Sequence, residues 1–154
     1  KCLMSEETKL EIMPSKTIKQ VIVMRNDLNM RKGKMIAQGS HASMAFLTSK
    51  AKFRLFSEKP MLAQNYSFIN EILSNPLEVQ EWMEDGFTKV CVRCESEEEL
   101  VELYNKSKEA KLNVELITDS GLTEFAGVPT KTCIAIGPNK NEEIDKITGH
   151  LKLL

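Results

Sequence analysis

Two groups of polar side chains are the ones best suited to chemistry in this chain. The first is Lys34, Gln38 and His41, and the second is Asp119, Ser120, Thr123, Thr130 and Thr132. Offsets of four and seven residues bring the first group within about 60° of one another on a helix. Lys34 then stands near a helix start, where free backbone N–H groups and the helix dipole favour anions. Arg31 and Lys32 add positive charge, and Gly33 permits close backbone approach. In the second group, the Asp119 carboxylate can orient or deprotonate water, and the hydroxyls can hold that water or bond a carbonyl or sugar oxygen. Each group also has a plain structural explanation: a solvated helix face for the first, and turn formation for the second.

Signatures of other chemistries are missing. There is no Gly-x-Ser-x-Gly elbow, no His-Glu-x-x-His pair and no phosphate loop. Cys91 and Cys94 have zinc-like spacing, but no second Cys or His pair lies at a suitable distance. They also fall in a strand-like run, where an offset of three places them on opposite faces. With Cys2 and Cys133 they read as reduced structural thiols, so no metal use is expected of them, and no cofactor is expected for the chain. His150 lies just past the last helix and reads as a surface or structural residue.

The elements that must position these groups follow from hydrophobic patterning. Ile18–Met24 is a short β-branched run and reads as a buried strand. A basic connection, Arg25–Lys34, leads into a helix over Lys34–Ser49, with Met35, Ala42 and Phe46 as its apolar stripe. The pattern predicts a helix over Asn65–Ser74, then a short one capped by Asn75, with Pro76 at its first position and Gly86 as its stop. Phe87–Cys94 is the second strand, and Ser96 with Glu97, Glu98 and Glu99 forms a capping box for a helix ending near Lys111. Leu112–Ile117 and Lys131–Ile136 are the third and fourth strands, separated by the loop Asp119–Pro129. Gly137-Pro138 ends the fourth strand, and a last helix spans Asn141–Thr148.

That order predicts a single three-layer α/β/α domain over residues 17–154 with a mixed four-stranded sheet, preceded by a mobile tail at 1–16. No helix joins the third and fourth strands, so one strand must run antiparallel. Ligands of such sheets gather beyond the carboxyl ends of the strands, which is where both polar groups fall. The 154 residues suffice for one core, and no apolar run approaches the roughly 20 residues needed to span a membrane. The net charge of −1 conceals an asymmetry: residues 1–59 carry 12 Lys and Arg against 5 Asp and Glu, and the rest 9 against 17. A basic first third points to an anionic partner, although a dipolar surface without one has the same composition.

Three stretches carry a family resemblance. Val21–His41, VIVMRNDLNMRKGKMIAQGSH, resembles the opening of the type-II peptidyl-tRNA hydrolases, with Arg-x-Asp-Leu followed by Met-x-Lys-Gly-Lys-x-x-x-Gln-x-x-His. Asp119–Pro138, DSGLTEFAGVPTKTCIAIGP, resembles their second signature, and IDKITGHLKLL at Ile144–Leu154 is similar to their ending. The resemblance runs from about Ile18 to Leu154, more weakly around Glu81-Trp82 and Lys89. It implies a mixed four-stranded sheet, a homodimer, and metal-independent hydrolysis of the ester joining a peptide to the terminal ribose of tRNA. It also implies functional roles at Lys34, Gln38, His41, Asp119, Thr123 and Thr132, the two rims already singled out. Leu122 stands where the family has Lys or Arg, and Glu124 where it has Gln. The loop Gly127–Thr130 is one residue longer, and the insert Lys50–Asn75 is also long. A lost cation and a gained carboxylate bear on tRNA binding more than on the reaction type.

These readings lead to an expected division of roles. Asp119 positions or activates water, Lys34 stabilises the oxyanion, His41 donates a hydrogen bond or shuttles a proton, and Thr123 and Thr132 fix the ester. Arg25, Arg31 and Lys32 contact phosphates, with Gln38 and Thr130 also in the binding set. The expected location is cytoplasmic, with organellar targeting left open. Two alternatives stay open at this level: a non-catalytic adaptor of the same fold that binds protein or RNA, and an esterase acting on another aminoacyl-tRNA.

Overall fold

The computed structural model describes residues 17–55 and 76–154. The expected tail at 1–16, the helix over Asn65–Ser74 and the Asn75 cap lie outside the described residues. Element order is β1 (Ile18–Arg25), α1 (Lys32–Leu55), α2 (Pro76–Glu84), β2 (Lys89–Cys94), α3 (Glu97–Glu109), β3 (Val114–Asp119), β4 (Thr130–Lys140), α4 (Asn141–Thr148) and β5 (Lys152–Leu153).

The strands form one sheet in the order β3-β4-β1-β2-β5. β1 pairs parallel with β2 and antiparallel with β4, and β4 is antiparallel to β3. The helix-free β3–β4 connection therefore forces the expected reversal. The consequence for the site is direct: the carboxyl ends of β1 and β3 and the start of β4 share one edge of the sheet. The fifth strand is a correction to the expected four. Its two residues pair antiparallel with Val92 and Arg93 of β2, and so short an edge leaves no periodicity to read.

β1 is apolar on both faces because helices cover both. Val21 and Val23 face a core with Leu100 and Leu103 of α3, Ile144 and Ile147 of α4, and Ile134 and Ile136 of β4. Ile22 and Met24 face the other way, packing with Met30, Ala42 of α1, Cys133 and Ala135. Ile18, Phe46, Val79 and Trp82 extend that second layer under α2. Full burial of each large aliphatic side chain contributes about 1.5–3 kcal/mol, so this three-layer packing fixes the strand ends firmly.

Several boundaries differ from the expected ones. The Phe87 N–H bonds back to Trp82 O at 3.0 Å and its φ is 61°, so Gly86 and Phe87 close α2 and the strand begins at Lys89. β3 runs on to Asp119, which makes Asp119 the last strand residue rather than a loop residue. β4 continues through Gly137-Pro138 to Lys140. A proline is tolerated there because the β1–β4 register shifts between Lys19 and Val21. The Ser96 cap holds as expected: its side chain accepts from Glu99 N at 3.1 Å, while Glu99 accepts from Glu95 N at 2.8 Å.

Candidate active site

α1 begins at Lys32, two residues earlier than its apolar stripe suggests, and Met35 N–H bonds Arg31 O at 3.0 Å. Its first turn contains no acidic residue, whereas α2, α3 and α4 carry Glu78, Glu97–Glu99 and Glu142–Glu143 there. Lys32 and Lys34 stand instead at the positive end of the dipole, an arrangement that costs helix stability and favours a bound anion. A Cβ built on Gly33 meets nothing within 4 Å, so a ligand can approach the backbone there.

The stripe on α1 reaches the end of β3. Lys34 Nζ donates to Asp119 Oδ2 at 2.6 Å and to Thr123 Oγ1 at 3.0 Å. Gln38 Nε2 donates to the same Oδ2 at 2.9 Å. Thr132 Oγ1, on β4, donates to Gln38 Oε1 at 2.6 Å. Gly121 N–H donates to Asp119 Oδ1 at 2.8 Å. The Lys34 ammonium lies 5.6 Å from the centre of the Phe125 ring. One network thus ties α1, β3, β4 and the β3–β4 loop together.

The loop is folded around Gly121. Its carbonyl accepts from Phe125 N and Gly127 N, and its φ is 81°. An added Cβ would stand 2.3 Å from Val128 O, so only glycine lets the loop close and carry Thr123 to Lys34.

Electrostatics follow from these contacts. The Lys34 ammonium beside it holds the Asp119 carboxyl below the usual carboxylate range, and the Gly121 N–H and Gln38 amide act in the same direction. Desolvation opposes them and loses. Oδ2 has both lone pairs engaged and Oδ1 one, which leaves one acceptor position on Oδ1. The Lys34 ammonium has three protons and two of these bonds, so one N–H remains.

Around this network is an open hollow of about 540 Å³ lined by Arg31, Gly33, Lys34, Ala37, Gln38, His41, Asp119, Thr123 and Glu124. His41 is an exposed rim residue. Arg31 also stands on the rim and pairs with Glu124, Nε to Oε1 at 2.7 Å. Lys32 is exposed on the first turn and does not line the hollow. Thr130, the first residue of β4, does not line the hollow, and its hydroxyl donates to Val128 O at 2.9 Å.

Two expected contacts need revision. Arg25 was expected at a phosphate, yet its side chain is only 10% exposed and its donors are engaged internally. It meets Asp27 in a two-point bridge at 3.1 and 2.6 Å, Glu97 at 2.9 Å and Lys131 O at 3.1 Å. The Arg25 guanidinium holds the Asp27 carboxyl low, and the Arg25 pKa itself is raised. Arg25 therefore clamps the β1 end to α3 and β4. Thr132 was expected to touch the ester, but it is fully buried behind Gln38. The sequence reading missed the Arg31–Glu124 pair, and the opposite charges of a basic run and a loop glutamate were the one signal for it.

Among the described residues, the thiols take no part in the hollow. Burial pushes the Cys94 thiol up to about 11 and the Cys133 thiol to about 12. Cys91 is free and exposed, and Cys2 lies outside the described residues. Among the described residues, no three His, Cys, Asp or Glu side chains are grouped to hold a metal ion, and no helix is long and apolar enough to cross a membrane.

The chain is similar to known proteins over nearly all of its described length. The family model described as Peptidyl-tRNA hydrolase PTH2 matches residues 18–154. The peptidyl-tRNA hydrolase of Methanocaldococcus jannaschii is 45% identical over 138 residues, covering 89% of this chain and 100% of that one. That of Methanopyrus kandleri is 41% identical over 137 residues, 88% of this chain and 97% of its own. The Bos taurus protein named peptidyl-tRNA hydrolase 2, mitochondrial, is 38% identical over 148 residues, 96% of this chain and 70% of its own.

Proposed function

The chain belongs to the peptidyl-tRNA hydrolase PTH2 family, and from that premise we propose that it hydrolyses the ester between a peptide and tRNA in the hollow between α1 and the β3–β4 loop. The observation that carries the site is the Lys34–Asp119 pair, built from α1 and β3, with Gln38 and Thr132 behind it and open space in front.

In the reaction, the water oxygen bonds the carbonyl carbon and the negative charge moves to the carbonyl oxygen. Collapse breaks the carbon–ribose oxygen bond. One water proton ends on the ribose hydroxyl, and the peptide leaves as its carboxylic acid, which ionises in solvent. Asp119 is held as an anion by its donors and so is a weak base; its open Oδ1 position suits it to orienting water. The remaining N–H of Lys34 suits the developing oxyanion, often the largest single catalytic contribution. Thr123 accepts from Lys34, so its own hydrogen is available to the ester. His41 at the rim can pass a proton to the leaving oxygen. Gln38 and Thr132 act as positioning residues.

The intact network favours catalysis over a purely adaptor role. Purified protein, assayed on N-blocked peptidyl-tRNA beside aminoacyl-tRNA, should release tRNA from the first in preference. No turnover of either would remove the assignment, and preference for the second would make it an aminoacyl-tRNA esterase.

Two finer readings accompany this one. A homodimer is expected, and an apolar groove on the far side of α1 supports it, with Ile36 70% and Met44 47% exposed. Sedimentation as a monomer at micromolar concentration would refute the dimer. A cytoplasmic location is the simpler proposal, yet one relative is named mitochondrial, and fractionation of cells expressing the full protein decides between them.

A further inference from the structure

Among the described residues, the four charged side chains lining the hollow cancel in pairs: Lys34 with Asp119, and Arg31 with Glu124. The side chains lining the hollow thus carry no net charge toward the phosphate-bearing end of tRNA, and positive potential there comes from the start of α1 and from Lys32 beside it. The two pairs are built differently. Lys34 and Asp119 are 11% and 13% exposed, and Gln38, Thr123 and Gly121 brace them. In the other pair Arg31 is 78% exposed, while Glu124 is only 15% exposed. The Arg31 backbone is fixed where its carbonyl receives Met35 N–H, so the side chain alone can move. Of the two pairs, Arg31–Glu124 is the one that can open.

We propose that Arg31–Glu124 is a charge latch, in which Glu124 holds Arg31 until a phosphate near the esterified end of tRNA takes the guanidinium over. Glu124 is then a specificity-determining residue: it competes with the substrate's own phosphate and sets KM. Anions too weak to displace it gain nothing from Arg31. The inference rests on peptidyl-tRNA as substrate, and deacylated tRNA provides a probe that does not depend on turnover.

The test is a double-mutant cycle with Glu124→Gln, Arg31→Ala and the double variant, each checked for folding by a melting curve. An exposed ion pair holds its partners by a factor of about two to five. Glu124→Gln should therefore tighten binding of deacylated tRNA about two- to five-fold. KM for peptidyl-tRNA should fall by a similar factor, with the change in KM rather than kcat. Loss of the latch also spares a counterion uptake at Glu124, so the salt dependence should steepen by up to one contact, a slope of about 0.7–0.9. In the Arg31→Ala background, Glu124→Gln should change binding by less than the factor seen alone. No tightening in Glu124→Gln overturns the latch. Equal tightening with and without Arg31 also overturns it, because plain repulsion by the carboxylate would then suffice. Glu124→Ala gives the same cycle if the glutamine variant fails to fold. If the wild type binds tRNA and obeys the cycle but hydrolyses no peptidyl-tRNA, the proposed activity falls and the latch stands.

Discussion

Replacing Thr132 separates the hydroxyl that orients the site from the methyl group that packs beneath it. Thr132 is fully buried, and its hydroxyl donates to Gln38 Oε1 at 2.6 Å; a second contact, to Ile117 O, is weak at 3.4 Å. Thr132→Val keeps the shape and removes the donor. Gln38 is itself 3% exposed, so its oxygen then stays buried without a partner, at a cost of about 1–3 kcal/mol. The alternative is to swing out to water, which breaks the bond from Nε2 to the Asp119 carboxylate, worth about 1.5–3 kcal/mol. These costs are similar, so neither response dominates and Asp119 loses one of its donors for much of the time. Stability should fall by about 1–2 kcal/mol, which for a chain of this size lowers Tm by about 2–8 °C. Turnover should fall about three- to tenfold, the effect of a partly populated arrangement. Thr132→Ser makes the opposite change. It keeps the hydroxyl and loses a methyl group worth about 0.8 kcal/mol, so it should destabilise to a similar extent while kcat stays close to that of the wild type. Single-turnover hydrolysis of peptidyl-tRNA and thermal melts on both variants give the comparison. Equal kcat in the two variants would show that Thr132 serves packing alone and would refute the positioning role.

Lys34 is the largest cause of the low Asp119 pKa, so in Lys34→Ala the carboxyl should titrate higher, closer to its ordinary 3.8; carbon NMR of the Asp119 carboxyl checks this, and an unchanged titration contradicts the pairing. The sign for stability follows: a depressed carboxyl contributes above its unfolded pKa and loses that contribution as pH falls through the lower folded value, so the wild type should hold the pair to more acid pH than ordinary aspartate allows. Lys34→Ala should lower turnover about 100-fold or more, the scale of losing an oxyanion donor. Lys32→Ala should instead raise KM with a loss of about 1 kcal/mol or less, and equal effects on kcat would reduce Lys34 to another phosphate contact. Arg25→Ala should destabilise by about 2 kcal/mol through loss of charged hydrogen bonds yet leave the salt slope of tRNA binding unchanged; a slope lowered by a full contact would restore Arg25 to the phosphate set.

The legible parts of the site are those set by short-range periodicity. Lys34 and Gln38 meet on one face because the helix period fixes them, whatever surrounds the helix. Asp119 could be placed near a strand end because β-branched residues precede it and Ser120-Gly121 follows. The internal partners of Arg25 were hidden for the opposite reason. Its partner Glu97 is 72 residues away, and from sequence Glu97 had a sufficient role at the α3 dipole. Thr132 looked like a substrate contact because a strand's two faces are equivalent until the neighbouring helix is known; here α1 brings Gln38 over it. The early start of α1 was hidden by Gly33, a residue more at home in loops, whose presence fits the open space above it.

The direction of the hydrogen bonds explains why the site depends on a reversed strand. Thr132 donates to Gln38, Gln38 donates to Asp119, and Lys34 and Gly121 donate to it from the other sides. Every donor in the chain points toward one carboxylate, and a chain of bonds so aligned strengthens each link. The pull starts from Thr132, near the beginning of β4, and ends at Asp119, the last residue of β3. A parallel β4 would place its first residues at the opposite edge of the sheet, beyond reach of Gln38. The antiparallel return through Gly121 is therefore what brings Thr132 within reach of Gln38. It fixes the Asp119 charge beside the hollow and leaves one Lys34 N–H unengaged. Among the described residues that line the hollow, the loosely held charge is then Arg31 at its rim.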